Sequence, residues 1–318
     1  MTSPQGRRPV VLGVDPDPTK RMALAWAVDE AARRRLPLRL VHAQGVPTGG
    51  YRSREVRPSW EEWNQALHTA GDQVLREAVT FAESRRPEVE VSTLLAEGHP
   101  AWVLREQARD AAAVVLGSWH LSTGQELFTA AAVALPVIAH APCPVIVVPE
   151  PEHTAQRPLA MVVGVDGSAH SAAAVDLAFE EAALHGAALR AMYVWHPPLL
   201  GALDEHAALQ ECRRVLSETV AGRTATHPEV ELHHEVVRGH PVEVLSEASA
   251  HAVGLVVGTR GHGGFAGMLL GSVSQGVLHH ARCPVFTVPH PHVRERGGGR
   301  SDTGGGGVAG TTSEADAE

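Results

Sequence analysis

The chain is written twice, and that repeat constrains its fold more than any other feature. "VVLGVDPD" near the start returns as "MVVGVDGS" (161–168), and "AWAVDEAARRRLPLRLVHA" returns as "DLAFEEAALHGAALRAMYVW". Further on, "EGHPAWVLREQARDAAAVVLGS" (97–118) returns as "RGHPVEVLSEASAHAVGLVVGT" (238–259), and "HAPCPVIVVP" (140–149) as "HARCPVFTVP" (280–289). The spacing between matched segments shrinks along the chain, so the first copy is the longer one, mainly around residues 44–60. A period of about 140 residues is a domain length, far beyond a solenoid unit. Two homologous domains are therefore expected, at 1–150 and 159–290, joined by the Pro-rich linker "PEPEHTAQRP". Residues 291–318, rich in Gly, Ser and Thr, lack periodicity and large apolar side chains, and read as a disordered tail.

Each copy alternates short apolar β-branched runs with Ala/Glu/Leu-rich segments. In the second copy strands are expected at 160–165, 188–194, 230–237, 253–257 and 285–288, with helices at about 170–185, 203–225, 241–251 and 272–281. Ser168 and Ser272 stand where helix caps are expected. Continuous apolar strands alternating with helices indicate βαβ units and a parallel sheet covered on both faces. The expected fold class is α/β, two repeated doubly wound domains.

The most unusual stretch is "GTRGHGGFAGMLLGS" (258–272), with six glycines in fifteen residues between an apolar strand and a helix. The first copy makes the same connection with "GSWHLSTGQELFTAA", so turning the chain does not require those glycines. Their spacing is G-x-x-G, nine residues, then G-S: Gly258, Gly261, Gly271 and Ser272. An anion there would meet the free N–H groups and positive dipole end of a helix. Successive glycines allow a backbone nest, and Ser272 and Ser274 add hydroxyl donors. In doubly wound sheets ligands sit beyond the carboxyl ends of the strands, where strand order reverses. Asp166, ending the first strand of the same copy, could accept hydrogen bonds from a ribose or a base. No Walker A sequence is present, and the Rossmann fingerprint is not met, because no acid ends the following strand.

These residues resemble the ATP-binding pattern of the universal stress proteins, and the chain looks like a tandem member of that family over roughly residues 8–290. The resemblance implies five parallel strands per domain in the order 3-2-1-4-5. It also implies that Gly164, Val165, Asp166, Gly167 and Ser168, with the side chain of Val194, enclose adenine and ribose. Gly258, Thr259, Arg260, Gly261, His262, Gly263 and Gly264, together with Gly271, Ser272, Val273 and Ser274, would then hold the phosphates of ATP, with Mg2+ as the accompanying ion. The first copy keeps Gly13, Asp15 and Gly117, but has His120 at the second glycine, alanines among Ala130–Ala132 for Gly-Ser, and Pro16 in "VDPDP". Proline removes an amide and fixes φ, so the first copy is read as a degenerate site.

A net charge of −9 without a concentrated basic face argues against a nucleic-acid partner. The absence of a signal-like N-terminus and of apolar runs long enough for a bilayer leads us to expect a cytoplasmic protein outside the membrane. Three cysteines give no disulfide framework and no C-x-x-C pair, so Cys143 and Cys283 are read as small buried residues. The twenty histidines show no metal-ligand spacing and are read as solvent-facing or capping, so no metal site is expected. Arg52, Arg54 and Arg57 in the first-copy insertion are read as a solvated surface.

"PVIVV" and "PVFTV" end the two domains as exposed apolar edges, which pairing across a pseudo-two-fold axis would remove. The expected assembly is an intramolecular pseudo-dimer, with homodimerisation left open. The leading expectation is a nucleotide-dependent regulator with an unknown protein partner. A slow ATPase or nucleotidyl-transfer enzyme and a nucleotide-independent scaffold are the alternatives. Dedicated catalytic residues are not found.

Overall fold

A computed structural model describes residues 7–17, 20–44, 60–117, 133–150, 159–197, 204–261 and 269–289. The first half contains β1 (Val10–Gly13), α1 (Met22–Arg34), β2 (Leu38–Gln44), α2 (Trp60–Arg85), β3 (Val91–Glu97), α3 (Pro100–Ala108), β4 (Ala113–Gly117), a helical stretch α4 over 133–140, and β5 (Val145–Val148). The second contains β6 (Ala160–Val165), α5 (Ala169–His185), β7 (Ala188–Trp195), α6 (Glu205–Val220), the short α7 (Arg223–Thr226), β8 (Leu232–Arg238), α8 (Pro241–Ser249), β9 (Gly254–Gly258), α9 (Ser272–His280) and β10 (Val285–Val288).

The described strands form one ten-stranded sheet in the order β3-β2-β1-β4-β5-β10-β9-β6-β7-β8. Counted from its own first strand, each half reads 3-2-1-4-5, and every pairing within a half is parallel. Strand order therefore reverses between β1 and β4, and again between β6 and β9. These are the two crevices where the fold places ligands.

The halves meet through β5 and β10, which pair antiparallel with Phe286 opposite Ile146. These two residues are matched positions of the repeat, so the pseudo-two-fold axis runs between them. Thr287 Oγ1 donates to the Val145 carbonyl at 2.9 Å across the seam. The apolar core lies in two layers. Leu24, Val28 and Leu75 of the first half join Phe179 and Leu216 of the second on the α1/α2/α5/α6 face. Leu104 and Val137 share the other face with Leu245 and Val277. Trp26 of α1 packs edge-on against Phe286 with ring centroids 5.8 Å apart, so one core layer crosses the seam.

Two local expectations need correction. The helix expected over about 203–225 ends at Val220, because Gly222 sits at φ 79° and breaks it before α7. Ser168 caps α5, but Ser272 is the first helical residue of α9 and Gly271 occupies the cap position. All three cysteines are buried free thiols, and burial pushes the Cys143 thiol up to about 12. Among the described residues no helix is long and apolar enough to cross a membrane. The insertion arginines, His120, Ala130–Ala132, the 151–158 linker and the 291–318 tail lie outside the described residues.

Candidate functional site

The site is built where β6 hands over to α5. Gly167 turns the chain at φ 84°, a conformation L side chains avoid. Ser168 then caps the helix, its Oγ accepting the Ser171 amide at 3.1 Å. Asp166 Oδ1 accepts the Ser168 amide at 2.9 Å, and Ser171 Oγ accepts the Gly167 amide at 3.1 Å. The turn satisfies its own donors and so forms a fixed frame that presents Asp166.

Beside it β9 ends in the glycine loop, whose described ends are pinned together. The Gly271 amide donates to the Thr259 carbonyl at 2.9 Å, and Ser274 Oγ donates to the Gly258 carbonyl at 2.6 Å. Close packing on the β6–α5 turn demands glycine at 258 and brings Gly261 against the end of the Asp166 side chain. A Cβ on Gly258 would lie 2.9 Å from the His170 Cβ and 3.1 Å from its backbone, and one on Gly261 would lie 2.2 Å from Asp166 Oδ2. Gly271 is different. A Cβ there would meet nothing nearer than 3.5 Å, and its φ of −67° suits any residue. What Gly271 contributes is a cap position without a side chain, so no side chain covers the first-turn amides of α9.

These pieces enclose a cavity of about 420 Å³. Met192 and Val194 of β7, Pro241 and Leu245 of α8, and Val257, Leu270 and Val273 form an apolar wall. Asp166, Ser171, Arg260, Ser272 and Ser274 stand among Gly164, Gly258, Gly261 and Gly271 on the polar side. A mostly apolar cleft with a few convergent polar groups at a topological switch point is the usual form of a small-molecule site.

Of the residues singled out in the sequence, Gly164, Val165, Asp166, Val194, Gly258, Arg260, Gly261, Gly271, Ser272, Val273 and Ser274 line this one cavity. Gly167, Ser168 and Thr259 are absent from its lining. The first two shape the turn, and Thr259 is buried and holds the loop ends together. The Ser274 hydroxyl is spent on the Gly258 carbonyl, so its proton fixes the loop and is not a donor held in reserve. His262, Gly263 and Gly264 lie outside the described residues. Sequence reasoning missed Ser171, Met192, Pro241, Leu245, Val257 and Leu270. Met192 was within reach, because it sits two residues before Val194 on the same strand face. Leu245 was not, because it comes from a helix whose approach depends on the tertiary packing of Gly164.

The first half diverges. Gly13, Asp15 and Gly117 line a hollow of about 50 Å³ on the α1/α2 side of the sheet, with Leu24, Val74 and Ala78, whereas the second-half cavity lies on the α8/α9 side. Asp15 Oδ1 still accepts an amide, from Asp17 at 2.9 Å, across Pro16. Glu150 Oε1 accepts the Met22 amide at 2.8 Å and so occupies the N-terminus of α1 with the chain's own carboxylate. Burial pushes the Glu150 carboxyl up, and nearby Asp15 pushes it the same way.

The comparisons with known proteins agree with this architecture. The chain is 33% identical over 302 residues to the universal stress protein Rv2005c of Mycobacterium tuberculosis, covering 90% of this chain and 98% of that protein. It is 31% identical over 299 residues to the universal stress protein Rv2623 of the same organism, covering 90% and 98%. Among solved structures, a universal stress protein from Archaeoglobus fulgidus superimposes with a TM-score of 0.66 at 17% identity, covering 88% of this chain and 96% of that one. The model of the universal stress protein family matches residues 6–149 and again residues 160–289, and the chain belongs to that family as a tandem, two-domain member.

Proposed function

We propose that the second half binds ATP, one molecule per chain, and that occupancy biases a conformation read by a protein partner. The reading rests on one juxtaposition: the side-chain-free first turn of α9 and the carboxylate of Asp166 open into the same apolar-walled cavity of about 420 Å³. The amides of Ser272 and Val273 and the guanidinium of Arg260 suit a phosphate chain, which the helix dipole also favours. Asp166 suits ribose hydroxyls, while Met192, Val194 and Leu245 suit the faces of a base. Magnesium would travel with the phosphates. We do not extend this reading to the first half, where Pro16 stands in place of Gly167 and Glu150 accepts the Met22 amide at the α1 N-terminus.

We read the chain as a regulator, with any hydrolysis slow and incidental. A ligand shifts a conformational equilibrium only through its differential affinity for the two states. Titration calorimetry with ATP is expected to give a stoichiometry near one per chain. Gly261→Val is expected to abolish it, since even a methyl at that position falls on Asp166 Oδ2. Two equal sites, or binding unchanged in the variant, would refute the assignment. Rapid steady-state turnover dependent on magnesium would favour an enzyme instead.

A further inference from the structure

The repeat matches Glu30 with Glu181 and Arg34 with His185, so Glu30 and Arg34 stand one turn apart on α1, and Glu181 and His185 one turn apart on α5. The seam brings these helices together and sets the four side chains around the pseudo-two-fold axis. Glu30 and Glu181 are 0% and 1% exposed. Arg34 joins them, its Nε donating to Glu30 Oε1 at 2.7 Å and its Nη2 to Glu181 Oε1. The other oxygen of each carboxylate turns toward His185 Nε2, at 3.3 Å from Glu30 Oε2 and 3.9 Å from Glu181 Oε2. His185 Nε2 and Glu181 Oε2 are buried without a hydrogen-bond partner, on side chains only 8% and 2% exposed.

A buried lone-pair atom without a partner is costly and calls for an explanation. Here these two atoms converge with Glu30 Oε2, and the three candidate ligand atoms lie within 4.8 Å of one another. Tetrahedral zinc, with bonds near 2.0–2.2 Å, holds its ligand atoms about 3.3 Å apart, so small shifts would seat it. Inside the cluster Arg34 offsets one of the two carboxylates. Arg33 also reaches Glu30 Oε2, but its side chain is 35% exposed and can swing away to admit an ion. We propose that Glu30, Glu181 and His185 form a divalent transition-metal site of the zinc type that clamps the two halves together. Imidazole with carboxylates suits zinc better than the all-oxygen sets of magnesium or calcium. Water completes the coordination, and Arg34 orients both carboxylates through their non-ligating oxygens. The sequence reading of the histidines as solvent-facing or capping does not hold for His185, whose side chain is only 8% exposed.

The test uses the untagged full chain, stripped with chelator and dialysed. Zinc titration is expected to show one tight site per chain, and cobalt to give the intense visible bands of a four-coordinate ion. The melting temperature is expected to rise by about 5 °C at zinc near 100 times its Kd. His185→Gln is expected to weaken zinc binding about 100-fold or more while retaining the helical circular dichroism signal. Glu181→Gln should act in the same direction, and Arg33→Ala should keep the site. No tight zinc site in the wild-type chain, a six-coordinate cobalt spectrum, or affinity unchanged in His185→Gln would each overturn the proposal.

Discussion

Arg35 and Gly186 end matched helices in the same left-handed conformation, at φ 54° and 59°. Each donates its amide back to the last turn, Arg35 to the carbonyls of Ala31 and Ala32, Gly186 to those of Ala182 and Ala183. Glycine takes this conformation freely, whereas a side chain pays a steric penalty of roughly 1 kcal/mol there. The Arg35 side chain is exposed and has no described partner role that would offset that penalty. Arg35→Gly is therefore expected to stabilise the chain by about 0.5–1 kcal/mol, and Gly186→Ala to destabilise it by a similar amount. Urea unfolding of the two variants should move the midpoint in opposite directions. Equal effects of the same sign would show that the cap conformation is not what governs these sites.

At the scale of elements, α1 is tied to α2 by Asp29, which accepts from Arg85 Nη2 at 2.7 Å and Arg86 Nε at 2.9 Å. Burial raises the Asp29 carboxyl, but the two arginines outweigh it and hold it below its ordinary value of 3.8. A depressed carboxyl adds stability above its unfolded pKa and loses it as pH falls through the folded one. Asp29→Asn is thus expected to cost about 0.5–1 kcal/mol at pH 7, discounted for the exposed arginines. The cost should fade below about pH 4. Comparing wild type and variant by urea unfolding at pH 7 and pH 3 checks the sign, and a cost that grew on acidification would contradict it.

The elements themselves were largely legible. The repeat gave two α/β halves, β-branched runs gave strands, and Ser168 marked the start of α5. What sequence missed depends on distance. Gly258 and Gly261 read as phosphate-binding glycines, and the structure adds a close approach that sequence does not reveal, of Gly258 to His170 and of Gly261 to the Asp166 carboxylate. Leu245 and the Glu30–Glu181–His185 cluster come from elements brought together only by packing, which leaves no local pattern to read.

For the whole molecule the decisive feature is the seam. Its register centres on Ile146 and Phe286, matched residues of unequal size, both 0% exposed. In the intact chain one large ring opposes one smaller side chain, and Trp26 packs on the ring. A second half pairing with a copy of itself through β10 would oppose two phenylalanines and overpack, at a cost of roughly 1–3 kcal/mol. A first half pairing with itself would oppose two isoleucines and leave space, which is also costly. The helices beside the seam add the same preference, since α1 and α5 together bring Arg34 and His185 to their two glutamates, whereas two copies of α5 would bring no arginine. Left alone, each half would expose an apolar edge strand that invites such pairing or aggregation. If the chain is cut within 151–158 and the halves are expressed together, they are expected to assemble as a one-to-one complex in preference to either homodimer. Native mass spectrometry of the mixed halves, alongside light scattering of each alone, reads the outcome directly. A statistical mixture of the three pairings would mean that the asymmetry at Ile146 and Phe286 carries no specificity.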